Sequence, residues 1–73
     1  MIQDEKLAAA VVDKIRAAYA ALDDSAYLVR QEGREDEVNP YVYAVGGVCA
    51  EIIFKLMEPI YDAHPHLKPA GWE

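Results

Sequence analysis

The sequence predicts an all-α protein, an antiparallel helical hairpin with an extended C-terminal tail that dimerises into a four-helix bundle. Two stretches with the apolar periodicity of helices lie on either side of a short polar connection. The second stretch, residues 39–61, is apolar on two faces, so a single partner helix cannot cover it. A chain of 73 residues builds only a small core, and oligomerisation compensates for this. We expect one domain, residues 1–73.

The first helix is predicted over residues 4–32. Asp4 is the expected N-cap, and Gly33 is expected to end the helix in a left-handed conformation. Asp23, Asp24 and Ser25 compete for backbone hydrogen bonds and leave a break open as an alternative. One continuous helix is favoured because the apolar phase is kept on both sides of these residues. The seam consists of Ala8, Val11, Ile15, Ala18, Leu22, Ser25 and Val29.

The second helix is predicted over residues 40–62. Asn39 is a suitable N-cap, and Pro40 supplies the backbone angle of a first helical position. Residues 34–38 would then form a polar connection of hairpin length. Pro59 cannot donate to the carbonyl of Lys55, so we expect a kink or an end near Glu58.

The second apolar face of this helix is the predicted dimer interface. Gly46 and Ala50 share one face and would allow another backbone to approach closely, which would offset the cost of glycine in a helix. The alternatives are a mobile or kinked point in the helix, or a small ligand cavity lined by Tyr41, Tyr43 and Gly47. The residues assigned to the dimer interface are Val45, Gly46, Ala50, Phe54, Met57 and Tyr61.

The tail, residues 63–73, is predicted to be extended because two prolines exclude a regular helix. Leu67 and Trp72 are its large apolar side chains. We expect them to pin the tail across the hairpin or a neighbouring subunit.

The chain is acidic, with 13 carboxylates against 7 basic residues and a net charge of -6. Nucleic acid is therefore not an expected partner, because phosphate contacts need clustered Lys and Arg. A basic protein is the more suitable partner. The predicted partner-binding residues combine the acidic tip with two tyrosines, a residue type enriched in interface hot spots: Glu35, Asp36, Glu37, Tyr27 and Tyr41.

The N-terminus does not resemble a secretory signal, since it has no basic region followed by an apolar core. The longest uncharged run, residues 38–50, is short of the roughly 20 residues that span a bilayer. We therefore expect a cytoplasmic protein without a membrane partner and with Cys49 reduced.

No catalytic, cofactor-binding or metal-binding residues are assigned. Asp62, His64 and His66 have metal-ligand side chains, but further ligands have no obvious source. Cys49 lies in an apolar seam, where a thiol is inert. The glycines at 46 and 47 lack the nearby Lys and Ser or Thr of a phosphate-binding loop. The sequence thus indicates a protein that is not an enzyme and needs no cofactor.

The predicted function is a homodimeric protein-interaction module of the inhibitor, immunity or regulatory type. Two alternatives remain open at this stage. One is a ligand or metal sensor that uses a pocket near Gly46 and Gly47 or the pair His64 and His66. The other is an accessory subunit whose second apolar face meets a different protein.

Overall fold

The computed structural model describes residues 1–71, and these form a hairpin of two helical arms without a strand. The first arm is α1 (Glu5–Glu32), and the second is built from α2 (Glu35–Ile52), a π turn (Ile53–Met57) and α3 (Glu58–Ala63). This confirms the predicted all-α hairpin. A 3₁₀ turn (Pro65–Leu67) follows α3.

Helix α1 begins at the predicted cap and continues without a break. Asp4 Oδ2 accepts a hydrogen bond of 2.9 Å from the Leu7 N–H, which satisfies one of the donors left free at a helix start. Ser25 Oγ donates to the Leu22 carbonyl at 2.6 Å, so this hydroxyl bonds within the helix and does not interrupt it. The first arm is therefore one continuous helix.

The connection between the arms is shorter than predicted and has a different conformation. Only Gly33 and Arg34 lie between α1 and α2. Gly33 is extended, with φ −79° and ψ 163°, so the expected left-handed conformation is wrong. Glycine is still required there, because a Cβ would lie 2.6 Å from the Val29 carbonyl oxygen.

Helix α2 begins at Glu35, and the predicted start at Asn39 and Pro40 is wrong. The Arg34 N–H donates to Glu37 Oε1 at 2.8 Å, and the Glu37 N–H donates to the Arg34 carbonyl at 2.9 Å. Acidic side chains in the first turn also suit the positive end of the helix dipole. These contacts start the helix one turn earlier and place Pro40 inside it.

The second arm is irregular near Glu58, where a kink or an end was predicted, but it does not end there. The Glu58 N–H donates to the Ile53 carbonyl, five residues back, which is the bond of a π turn. Pro59 follows directly, in the first turn of α3. The widened turn lets the arm continue past the proline.

The core consists of two small clusters between the arms. One lies towards the chain ends and the other towards the connection. The first cluster contains Ala8, Val12, Met57, Ile60 and Tyr61, with partly buried Ile2, Val11, Ile15, Ile52, Ile53 and Leu67 around it. The second contains Ala26, Val45 and Cys49, with partly buried Tyr19, Leu22 and Val42.

The tail turns back over the start of α1. Leu67 packs against the first cluster as predicted, but it does so from a 3₁₀ turn and not from an extended segment. His64 Nε2 lies 2.7 Å from the Ile2 carbonyl oxygen, and His66 Nε2 lies 2.7 Å from Glu5 Oε2. Trp72, the other predicted anchor, lies outside the described residues.

Shortening Ile60 tests whether the first cluster stabilises the hairpin. Ile60 is buried, so Ile60→Val should lower the free energy of unfolding by about 1 kcal/mol through a lost methylene and a small cavity. Urea unfolding followed by circular dichroism measures it. Leu28→Ala, at an exposed position of α1, is the control and should change stability much less. Equal effects would contradict a core centred on Ile60.

Candidate interaction surface

The second arm exposes a large apolar face that the hairpin does not cover. Tyr43 is 87% exposed and Phe54 64%, and Val48, further around the arm, is 51% exposed. Between Tyr43 and Phe54, a Cβ added to Gly46 or Gly47 would meet no atom within 4 Å. The glycines therefore face open space, and their small size has no packing role within the chain.

A groove between the arms lies on one side of this face, and we call it the interhelical groove. Its cavity volume is about 500 Å³. The second arm supplies only uncharged residues to it, whereas α1 supplies Asp23 and Arg30. The lining consists of Tyr19, Asp23, Ala26, Tyr27, Arg30, Val42, Val45, Gly46, Cys49, Ala50 and Ile53.

A second groove, which we call the outer groove, lies on the other side of this face from the interhelical groove. It contains two charged residues. Its volume is about 620 Å³, and it is lined by Ala44, Gly47, Val48, Glu51, Ile52, Lys55 and Leu56. Lys55 Nζ lies 3.2 Å from Glu51 Oε2. Both side chains are mainly exposed, so this pair contributes only about 0.3–0.5 kcal/mol.

The residues predicted for the dimer interface divide into two groups. Gly46 and Phe54 are exposed and Ala50 is half-buried. Met57 and Tyr61, 5% and 0% exposed, lie instead in the first core cluster against α1, and Val45 lies in the second. The exposed members alone present surface to another molecule.

The π turn explains why Met57 and Tyr61 face inwards. An extra residue in a helical turn rotates all later side chains by about 100° relative to a regular α-helix. The helical periodicity placed Phe54, Met57 and Tyr61 on one face, but the turn at Ile53–Met57 separates them. Tyr43, which was not assigned to the interface, lies on the same face as Phe54, whereas Val48 is exposed about 140° around the helix from Tyr43, beside Glu51 and Lys55. The apolar character of Tyr43 in the sequence is the signal that identifies it.

The predicted acidic tip is largely engaged in starting α2. Arg34 Nη2 and Nε donate to the two oxygens of Asp36 at 2.7 and 3.1 Å. This hydrogen-bonded pair lowers the pKa of Asp36 and raises that of Arg34. Glu37 accepts the Arg34 N–H. Two of the three carboxylates thus have local structural partners.

The two predicted tyrosines open onto different surfaces. Tyr27 is exposed and lines the interhelical groove. Tyr41 lines a separate groove with Glu37, and its hydroxyl lies 2.8 Å from Ser25 Oγ, which links α2 to α1. The structure therefore places Glu37 beside Tyr41 but does not bring all five predicted partner-binding residues onto one surface.

The residues considered for metal binding and nucleophilic chemistry have other surroundings. Among residues 1–71 no group of three His, Cys, Asp or Glu side chains is arranged to hold a metal ion. The rings of His64 and His66 lie 6.0 Å apart, edge to face, and each contacts the start of the chain. Cys49 is a free thiol buried in the second cluster.

Comparison with known protein families, curated proteins and solved structures gave no significant match. The segment Glu35–Ala63 is long and apolar enough to cross a membrane by length and composition. One such helix among residues 1–71 is weak evidence for a membrane span, although only 17% of this window is buried, less than in the core helix of a soluble protein.

Removing the Glu37 side chain tests the start of α2. Glu37→Ala should lower the free energy of unfolding by about 1 kcal/mol, because the Arg34 N–H loses its acceptor. Glu35→Ala is the matched control, since it removes a neighbouring carboxylate from the same first turn. Thermal unfolding of both variants provides the comparison. A larger loss in Glu35→Ala would contradict the assigned cap.

The ion pair at the connection predicts a titration shift. Arg34→Gln should raise the pKa of Asp36 towards its ordinary value, because the charged donor that stabilises the carboxylate is lost. Since the folded-state pKa of Asp36 is depressed, its contribution to stability is present above the unfolded pKa and disappears as the pH falls through the folded one. Carbon-13 NMR titration of the Asp36 carboxyl measures its pKa in the native chain and in Arg34→Gln. An unchanged pKa would contradict the pairing.

Proposed function

We propose that the chain is a non-enzymatic protein-interaction module that self-associates through the exposed apolar face of its second arm. The observation that carries the proposal is the exposure of Tyr43 and Phe54 on either side of the open positions of Gly46 and Gly47. Large exposed apolar side chains grouped on one helix face are typical of association sites. The regulatory or inhibitory role, with a basic protein as target, remains a prediction that rests on the net charge of -6.

Self-association is supported by the small size of the core. Among residues 1–71 the two clusters hold eight buried apolar residues, and oligomerisation is one of the ways in which chains of this length gain stability. A standard interface takes about 800 Å² from each partner. The chain exposes 5405 Å² in total, so such an interface would occupy only a modest part of it.

A second copy explains the face better than a lipid bilayer does. Glu51 and Lys55 lie beside the apolar residues in the middle of the second arm, where charges are costly in the hydrocarbon core. The chain as a whole is acidic and would be repelled by anionic lipid surfaces. At a protein interface the same two charges remain hydrated at the rim.

A charge placed on the face should separate the copies. We expect light scattering to give about twice the chain mass of 8.1 kDa for the native sequence and about the chain mass for Phe54→Asp, because burying an unpaired carboxylate is strongly unfavourable. Leu28→Asp introduces the same charge at an exposed position of α1 and should leave the dimer intact.

Circular dichroism of each variant establishes that it is folded before its mass is interpreted. A native chain that is monomeric at several concentrations and folded would overturn self-association. A native chain that is aggregated alone, or that co-sediments with vesicles of neutral phospholipid, would assign the face to a different protein or to a membrane.

A further inference from the structure

We propose that two copies pair through their second arms in an antiparallel crossing centred between Gly47 and Ala50, with Tyr43 of each copy against Phe54 of the other. This inference rests on the proposed self-association and adds the direction and the register of the pair. The molecule that covers the face is thus a second copy of this chain. The shape of the face determines the register of the pair, and its charge determines the direction.

The shape of the face has the symmetry that such a pair requires. In a two-fold dimer the same patch is used twice and must be complementary to itself. Tyr43 and Phe54 project eleven residues apart, or roughly 16 Å along the arm. Gly46, Gly47 and Ala50 lie between them and leave room for a backbone. If one copy is reversed about the point midway between residues 43 and 54, Tyr43 of each copy lies opposite Phe54 of the other. Gly47 of each copy then lies opposite Ala50 of the other.

The distribution of charge selects the antiparallel direction. On the second arm, the side facing the interhelical groove is uncharged, with Gly46, Ala50 and Ile53. The side facing the outer groove carries Glu51 and Lys55. A two-fold antiparallel pair places like sides together, so the uncharged sides meet and the charged sides remain at the wet rim. A parallel pair places unlike sides together and would set Glu51 and Lys55 of one copy against the uncharged side of the other copy's second arm, at a desolvation cost.

The acidic tips favour the same direction. A parallel pair would bring two copies of the turn with Glu35, Asp36 and Glu37 to the same end of the dimer, where like charges repel. In the antiparallel pair the two tips lie at opposite ends. Each tip retains its own Arg34, which pairs with Asp36.

A spin-label distance tests the direction without altering the face. Cys49 is the sole cysteine, so Cys49→Ala gives a cysteine-free background to which Asp62→Cys adds one exposed labelling position near the end of α3. In the antiparallel pair each label lies about 20 Å from the crossing, which gives about 40 Å between labels. In a parallel pair both labels lie at one end, within roughly 20 Å, since packed helix axes are only 8–10 Å apart.

Disulfide trapping tests the register. In the Cys49→Ala background, Tyr43→Cys and Phe54→Cys chains are mixed and oxidised, with Leu28→Cys as an exposed control on α1. We expect the mixed disulfide between positions 43 and 54 to exceed either same-position disulfide and all disulfides to position 28.

The outcomes separate this inference from the proposed function. A dimer with labels about 40 Å apart and a predominant mixed disulfide supports the inference. A dimer with a short label distance, or with predominant same-position disulfides, overturns the direction or the register and leaves self-association intact. A folded monomer in the cysteine-free background and in the native sequence overturns both.

Discussion

The structure depends on a mismatch between its two arms. The second arm is apolar around most of its circumference, and α1 offers it only one narrow stripe of apolar side chains. Contacts between the arms therefore bury Val45, Cys49, Ile60 and Tyr61 and leave the far side of the second arm in water. The short connection and the folded tail lie at the two ends of that line of contact, and the other side of the second arm stays uncovered.

Much of the fold could be predicted from the sequence because α1 follows simple rules. Asp4 has a capping side chain, and a constant apolar phase crosses residues 23–25. The hairpin, the cap and the continuity of this helix are confirmed. The start of α2 could not be predicted from Asn39 and Pro40, because a helix can begin favourably either there or at Glu35. The contact between the Arg34 N–H and the Glu37 side chain selects the earlier start. Such contacts depend on rotamers that a pattern of residue types does not specify.

The candidate surface could be predicted only in part, for a geometric reason. Helical periodicity assumes a constant rotation per residue, and one π turn breaks this assumption after Ile53. Residues before the turn, such as Gly46 and Ala50, are exposed or half-buried on the expected side. Residues after it, such as Tyr61, are turned into the core. Pro59 indicated that the helix is irregular near this point, but it did not indicate the kind of irregularity. A kink bends the helix axis, whereas a π turn rotates the later side chains around it, so the two give different exposed faces.

The contact between His64 and Ile2 also has a consequence for the order of folding. It joins residues 62 positions apart, and closing a long loop costs more chain entropy than closing the short loop at Gly33 and Arg34. The second cluster, near the connection, brings together residues that are close in sequence. We therefore expect contacts between the arms to form first near the connection and then towards the chain ends. The contacts between the tail and the start of α1 are expected to form last. Backbone amides at that end should exchange with solvent soonest, because the last contacts to form are the first to open.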